Sequence, residues 1–319
     1  MDFGFSIPTR GSLASAGNIL ALTKRGEDLG FAHVAIPDHI VIPRRIDSPY
    51  PYNTERKMAG ATEGDCLEQL MVMSYLAAAT RKIRLLTSVM VVPHRNPVFT
   101  AKALATIDVL SQGRVTVGCG AGWMEEEFKA IGVPPFAERG KVTDEYLQVF
   151  KTLWTQDDPR FEGRYAQVKD LSFLPKPVQK PHPPLWIGGE SPAALRRVAA
   201  YGDAWYPIGA NPQFPLDSVK SFAAAAAKLR EAAERAGREP SSIALAYCAP
   251  WYKEGRSQAL EDGTRRLFSG SDADVAEDIA AMRSLGVSHL VFTFLRGTLD
   301  ASLAAMERFS GEVLARVRA

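Results

Sequence analysis

The chain has 319 residues, of which 46% are hydrophobic and 23% charged, and its 38 basic and 36 acidic side chains give a formal net charge of +2. This balance supplies enough apolar material for a large core, and it excludes a disordered, collagen-like or coiled-coil chain. Lysine and arginine are scattered rather than clustered, so the sequence lacks the basic patch that nucleic-acid binding needs.

The three cysteines, Cys66, Cys119 and Cys248, are widely spaced and form neither a CxxC pair nor a Cys/His ligand set. This spacing argues against a disulfide framework and a zinc site, so we predict no bound metal. The first residues lack the pattern of a signal peptide, and no stretch approaches the ~18 apolar residues of a membrane span. We expect a protein of the reducing cytoplasm with no membrane partner.

Short β-branched or aromatic segments alternate with longer segments of helical periodicity along the chain. The predicted strands are Phe3–Ile7, His33–Pro37, Ile83–Val92, Arg114–Gly118, Leu185–Gly188, Ala204–Pro207, Ile243–Tyr252 and His289–Phe294. The predicted helices lie at about 17–30, 66–80, 97–111, 138–155, 192–202, 215–237, 272–286 and 299–317. This α/β alternation predicts parallel strands with helical crossovers, closed into a (β/α)8 TIM barrel. Because no linker divides the chain, we expect residues 1–319 to form one domain.

Two connections are longer than a minimal barrel needs. Residues 41–65 follow the second strand without a periodicity of their own, which is typical of an active-site lid. Residues 158–184 contain two short alternating segments and two proline-rich ones, which predict a β-ribbon closing one end of the barrel. We expect both insertions to lie on loops outside the core.

The second strand is followed directly by Asp38 and His39. The active site of a parallel barrel forms at the carboxyl ends of its strands, so polar residues there are the first candidates. An imidazole beside a carboxylate suits proton transfer near neutral pH. The alternative is a helix-capping aspartate next to an incidental surface histidine.

A glycine-rich turn follows the fourth strand and reads Gly118-Cys119-Gly120-Ala121-Gly122-Trp123-Met124, before three successive glutamates at 125–127. A dinucleotide fingerprint would need a glycine in place of Trp123, and three carboxylates at a helix start would repel a pyrophosphate. We interpret the glycines as allowing a flat aromatic ring to approach the backbone closely. The alternative is a turn that binds no ligand.

The fifth strand runs into Gly188-Gly189-Glu190-Ser191-Pro192. Ser191 is a favourable N-cap and Pro192 a favourable first helical residue, so free backbone N–H groups are expected at this turn. Such groups suit a phosphate, provided that the Glu190 side chain points away.

Further candidates follow the sixth, seventh and eighth strands. The aromatic residues at the first two of these ends either form the wall of an apolar pocket or belong to the core. Arg296, after the eighth strand, either binds an acidic substrate group or forms a salt bridge within its loop. The aromatic residues are Trp205, Tyr206, Trp251 and Tyr252.

Five segments in order resemble the bacterial luciferase-like family of flavin- and deazaflavin-dependent oxidoreductases. They are Phe3–Pro8, Pro37–His39, Arg95–Arg114, Gly118–Phe128 and Gly188–Ser191. The resemblance covers nearly the whole chain and implies a TIM barrel, usually homodimeric, with the cofactor ring in the barrel mouth. Some deazaflavin members carry a glutamate general acid where this chain has Ala121, so that role is vacant here or belongs to one of the glutamates at 125–127.

The resemblance also implies roles for individual residues. His39, paired with Asp38, is expected to act at the reacting carbon, and Ser88-Val89 matches a non-prolyl cis peptide that supports the ring. The remaining assignments are Cys119, Gly120, Gly122 and Trp123 beside the ring, Gly188, Gly189, Glu190 and Ser191 at the phosphate, and Tyr206, Trp251 and Arg296 near the substrate.

Three functions agree with this resemblance. The Asp38–His39 pair favours coenzyme F420, and hence hydride transfer between F420 and a small organic substrate. The alternative is an FMN-dependent monooxygenase, supplied with reduced flavin by a separate flavin reductase. The third is a flavin-binding protein without turnover, against which the presence of both Asp38-His39 and the turn at 188–191 argues.

Overall fold

Eight parallel strands close into a barrel in the computed structural model, which describes residues 1–58, 60 and 62–318. They are β1 Asp2–Ser6, β2 His33–Ile36, β3 Arg84–Thr87, β4 Val115–Gly120, β5 Leu185–Gly188, β6 Ala204–Tyr206, β7 Ala244–Ala249 and β8 Val287–Phe292. Each strand pairs with the next, and β8 pairs with β1. The predicted TIM barrel is therefore confirmed.

Helices cover the outside of the barrel. They are α1 Ala16–Asp28, α2 Gln69–Ala79, α3 Pro97–Leu110, α4 Glu125–Ile131, α5 Arg139–Thr155, α6 Pro192–Tyr201, α7 Val219–Arg235, α8 Asp272–Ser284, α9 Leu299–Arg308 and, after a π-helical turn at Phe309–Leu314, α10 Ala315–Arg318. Side-chain caps set several of the starts, as where Ser15 accepts from the N–H of Asn18. None of the described helices has the length and apolarity of a membrane span.

The third and fourth strands differ from their predicted lengths. The predicted strand Ile83–Val92 is interrupted after Thr87, where the Ser88–Val89 peptide bond is cis, as the resemblance implied. The next two residues, Met90 and Val91, pair with Cys119 and Gly120. This added partner extends β4 two residues beyond its predicted end.

Side chains of the strands alternate between an outer core and the barrel interior. Outward residues such as Phe5 and Leu85 pack under the helices. Trp186 fills the interior near the amino ends, with its ring centroid 5.1 Å from His33 and 4.7 Å from His289. Burial lowers the pKa of His33 to about 3, so this layer of rings is uncharged at neutral pH.

The insertion at 158–184 lies at the amino ends of the strands. Phe161–Glu162 pairs antiparallel with Gln167–Val168. Gln179 donates from Nε2 to the carbonyl of Val115 at 2.7 Å and accepts from Arg84, and both partners are first residues of their strands. The opposite, carboxyl end of the barrel is therefore the end available for a site.

We predict that Gly26→Ala destabilises the barrel. A Cβ at Gly26 would lie 2.1 Å from the ring of fully buried Phe5, so α1 would have to move away from β1. Overpacking of this kind costs about 1–3 kcal/mol in the free energy of unfolding, which urea denaturation measures. Gly17 lies in the same helix, and a Cβ added there would have no other atom within 4 Å, so Gly17→Ala should be neutral or stabilising by about 0.5–1 kcal/mol. Equal effects of the two substitutions would contradict this account.

Candidate active site

The barrel interior holds side chains of mixed size. Ala204 pairs with Trp186 itself, and Ala246 pairs with His289, so both belong to the Trp186 layer. Nearer the carboxyl ends, the inner wall includes Ala35, Leu86, Tyr206, Cys248 and Val291. These residues form the apolar floor under the barrel mouth.

Asp38 is buried at the end of β2 and binds Arg95. Its two oxygens accept from the guanidinium at 2.7 and 2.8 Å, and Oδ2 also accepts from the N–H of Val91 at 2.8 Å. Arg95 is further paired with Glu68 at 2.6 Å, and these carboxylates raise its pKa although burial opposes them. Asp38 thus positions the chain segment that follows β3, which corrects the expected pairing with His39.

His39 is held by Glu127, a residue of α4. Its Nδ1 lies 2.8 Å from Oε2 of Glu127, while Oε1 accepts from the N–H groups of Ile40 at 2.7 Å and Val41 at 3.3 Å. The Glu127 side chain is 1% exposed and that of His39 is 16% exposed. Glu127, one of the three glutamates at 125–127, therefore holds His39. The sequence alone did not indicate which glutamate lies near this histidine.

Ser88 and Tyr206 form an uncharged polar contact across the mouth. The Ser88 hydroxyl lies 3.0 Å from the Tyr206 hydroxyl. Burial raises the pKa of Tyr206 well above 10 and that of neighbouring Cys248 to about 12, so both groups are neutral at physiological pH. Cys248 was not among the predicted site residues. It lies two residues after Ala246 in β7, so its side chain points to the same, inner face of the strand.

Two glycines in the second half of β4 make room for the protein's own chain. A Cβ at Gly118 would lie 2.0 Å from the carbonyl oxygen of Thr87, and one at Gly120 would lie 2.7 Å from the Val89 side chain. The segment 87–91 occupies the space beside these two glycines, and the close approach of a ligand ring to this turn stays a prediction.

Cys119 contributes no side chain to the barrel mouth. Its thiol is fully buried in the outer core with Val117, where burial raises its pKa. The outward parity follows from the alternation along β4. Cys119 can therefore contact a ligand only through its backbone, and its predicted place beside the ring stays a prediction for that backbone.

The segment 41–65 lies at the carboxyl end of the barrel, with Ala59 and Ala61 outside the described residues. The Tyr50 ring packs edge-on against Trp123 at 5.2 Å, and the N–H groups of Asp47 and Ser48 donate to Glu126 at 2.9 and 3.0 Å. Burial, followed by the nearby carboxyl of Glu190, raises the pKa of Tyr52. The segment thus connects α4 to the barrel mouth, and its opening stays a prediction.

The turn between β5 and α6 has the predicted cap. Ser191 accepts from the N–H of Ala194 at 3.2 Å, and Gly189 has φ +99°, a value that favours glycine. The Glu190 carboxylate accepts from the N–H of Ile208 at 2.8 Å and from Asn211 at 3.0 Å, so it is directed at the loop after β6. Gly188 packs against Val89, since a Cβ added at this glycine would lie 3.2 Å from the Val89 side chain.

Two of the three predicted substrate contacts have partners within the protein. Arg296, after β8, donates from one guanidinium nitrogen to both carboxylate oxygens of Glu254, after β7, at 2.9 and 3.0 Å. The Trp251 indole donates to the carbonyl of Leu267 at 2.8 Å. Tyr206, by contrast, lies on the inner wall.

Comparisons with known proteins identify the family. A family model described as luciferase-like monooxygenase matches residues 1–268. The chain therefore belongs to the luciferase-like monooxygenase family and is an oxidoreductase enzyme. It is 28% identical over 318 residues to the FMNH2-dependent dimethylsulfone monooxygenase of Pseudomonas putida, an alignment that covers 87% of this chain and 86% of that protein.

Two solved structures share the fold over almost their full length. The monooxygenase RslO1 of Streptomyces bottropensis has a TM-score of 0.75 at 22% identity, with 99% of each chain covered. The coenzyme F420-dependent tetrahydromethanopterin reductase of Methanopyrus kandleri has a TM-score of 0.76 at 17% identity, also with 99% of each chain covered. At these identities the likeness extends to the fold alone, so both kinds of cofactor stay open.

We predict that Glu190 makes stability depend on pH. Burial raises its pKa from the ordinary 4.5 to about 7, so the folded chain holds this proton more tightly than the unfolded chain does. Stability should consequently fall as pH rises from about 4.5 to 7, by roughly 3 kcal/mol. Glu190→Gln, which keeps an acceptor for the N–H of Ile208, should remove this fall in urea denaturation at several pH values. The exposed Glu162→Gln should not, and parallel profiles for wild type and Glu190→Gln would contradict the prediction.

Proposed function

We propose that this family member is a reduced-FMN-dependent monooxygenase that acts on a small organic substrate at the barrel mouth. The observation that carries the proposal is the histidine at that mouth: His39, fixed through Nδ1 by the buried carboxylate of Glu127. Similarity along 87% of the chain to an FMNH2-dependent monooxygenase supports the choice of cofactor. The expectation of F420 depended on an Asp38–His39 pair, and Asp38 is instead bound to Arg95.

The residues that would hold the cofactor lie at the carboxyl ends of β3, β5 and β6. We assign the phosphate to the backbone of the turn at Gly188–Ser191, whose N–H groups precede α6. The segment Ser88–Val89 would support the ring, and the neutral hydroxyl of Tyr206 would form the facing wall. Bound reduced flavin supplies two electrons, so that one atom of O2 enters the substrate and the other leaves as water.

The chain's own groups would then control protons and water. His39 is the candidate proton-transfer group, because histidine changes protonation near neutral pH and its ring reaches the mouth. Residues 41–65 would act as a lid that excludes bulk water. A separate flavin reductase would supply the reduced cofactor.

Hydride transfer with coenzyme F420 is the second candidate. His39 occupies the position that the resemblance assigns to the histidine of the deazaflavin branch. A flavin-binding protein without turnover is the candidate of another class. It shares the cofactor site and differs in having no substrate-dependent reaction.

Binding measurements with FMN, reduced FMN and F420 test the choice. We expect reduced FMN to bind at least about tenfold more tightly than F420, which is a difference of ~1.4 kcal/mol. Oxygen uptake coupled to a flavin reductase should then identify substrates. Tighter binding of F420 would overturn the FMN proposal in favour of hydride transfer. Failure of all three cofactors to bind would overturn both.

We predict that His39→Ala loses turnover and keeps cofactor binding. A positioned proton-transfer group contributes about 10²–10⁴-fold to the rate, whereas the assigned phosphate contacts come from the backbone after β5. Single-turnover kinetics and cofactor titration separate the two effects. His182→Ala, at the opposite end of the barrel, is the control. A rate for His39→Ala within about threefold of wild type would remove His39 from the mechanism.

The resemblance implies a homodimer, and we propose that it forms through α2 and α3. These neighbouring helices expose Met71 and Tyr75, one turn apart, and Phe99 and Leu110, three turns apart on one stripe. Phe99 is 61% exposed and Leu110 is 65% exposed. Large apolar side chains grouped on one face mark an interaction site.

Light scattering tests this surface. The double substitution Phe99→Glu and Leu110→Glu should convert a dimer to a monomer, because it places charges in an apolar interface. Ala227→Glu, at an exposed position of α7, should leave the mass unchanged. A monomeric wild type would overturn the proposal.

A further inference from the structure

Four groups surround the carboxylate of Glu127, and three of them form hydrogen bonds with it. His39 reaches Oε2, two backbone N–H groups reach Oε1, and the Nδ1 atom of His94 lies 3.8 Å from Oε1. The last distance is too long for a hydrogen bond. Oε1 is therefore engaged by the main chain, and Oε2 is left for His39.

His94 forms the back of this site. It is buried, its ring lies 4.6 Å from that of Phe128, and neither ring nitrogen has a partner among the described residues. Burial lowers its pKa to about 4, so at neutral pH it brings no positive charge to Glu127. Arg95, the neighbouring cation, is paired with Asp38 and Glu68. The other nearby titratable group, the thiol of Cys66, is directed at the carbonyl of His39.

We propose that Glu127 is a positioning residue that sets the tautomer of His39. An ionised carboxylate only accepts hydrogen bonds, so the neutral imidazole must carry its proton on Nδ1. Nε2 then presents a lone pair to the barrel mouth, where it can accept a proton. This inference rests on the proposed role of His39 in the reaction and states which ring nitrogen is left free as an acceptor.

Glutamine at position 127 should reverse the tautomer. The N–H groups of Ile40 and Val41 require an acceptor, so the amide oxygen must take the place of Oε1. The amide NH2 then faces Nδ1 of His39 and donates to it. His39 must move its proton to Nε2, and the nitrogen at the mouth becomes a donor. Glu127→Gln is thus nearly isosteric and inverts the chemistry of the histidine.

Nitrogen-15 NMR of the histidine rings in the cofactor-free protein tests the proposal. We expect the neutral His39 ring to be protonated on Nδ1 in the wild type and on Nε2 in Glu127→Gln. Glu125→Gln, an exposed change in the same helix, should match the wild type. An Nε2-protonated wild type would overturn the proposal by itself, even if the Glu127 variant failed to fold. The same tautomer in both proteins would also overturn it.

Kinetics gives the second readout. Glu127→Gln should lower kcat by at least about 100-fold with KM within about threefold, because substrate binding does not depend on the tautomer. A reversed tautomer with unchanged kcat would overturn the positioning role. Because the NMR measurement needs neither cofactor nor substrate, a failure of the proposed function would leave its result intact.

Discussion

The ion pair between Asp38 and Arg95 holds the carboxyl end of the barrel together. Asp38 lies just after β2, and Arg95 lies in the segment that follows β3. Their bidentate contact therefore joins the loops after two neighbouring strands. The same carboxylate accepts from the N–H of Val91, which fixes the backbone between them. A buried ion pair with this many hydrogen bonds is costly to break, since either partner alone would remain charged in the core. The position of the Ser88–Val89 segment depends on this contact.

Two carboxylates near β2 thus have separate tasks. Asp38 binds a permanent cation and shapes the backbone, whereas Glu127 binds a titratable ring and leaves that ring partly exposed. The loop that supports the proposed cofactor site is therefore fixed by a carboxylate that makes no contact with His39. The proposed catalytic residue His39 and the structural residue Asp38 are adjacent in the chain, but they bind different partners.

The sequence predicted the barrel because its pattern is local: alternating strand and helix periodicity needs no knowledge of distant contacts. It failed where partners are far apart in the chain. Arg95 is 57 residues from Asp38 and Glu127 is 88 residues from His39, so adjacency suggested a pair that the structure does not form. The alternation along β4 could have shown that the Cys119 side chain points outward, like those of Val115 and Val117. The cis peptide bond was predicted from the resemblance and not from composition.

The packing of Val89 has a consequence for redesign of the barrel mouth. Gly120 and Gly188 are restricted by the Val89 side chain, whereas Gly118 is restricted by the backbone oxygen of Thr87. Substitutions at positions 89, 120 and 188 are therefore coupled. A smaller residue at position 89 creates space for a larger residue at position 120 on β4 or at position 188 on β5. Gly118 has no such compensating partner. A library that varies the three positions jointly would reshape the pocket wall, whereas one that varies them singly would mostly yield clashes.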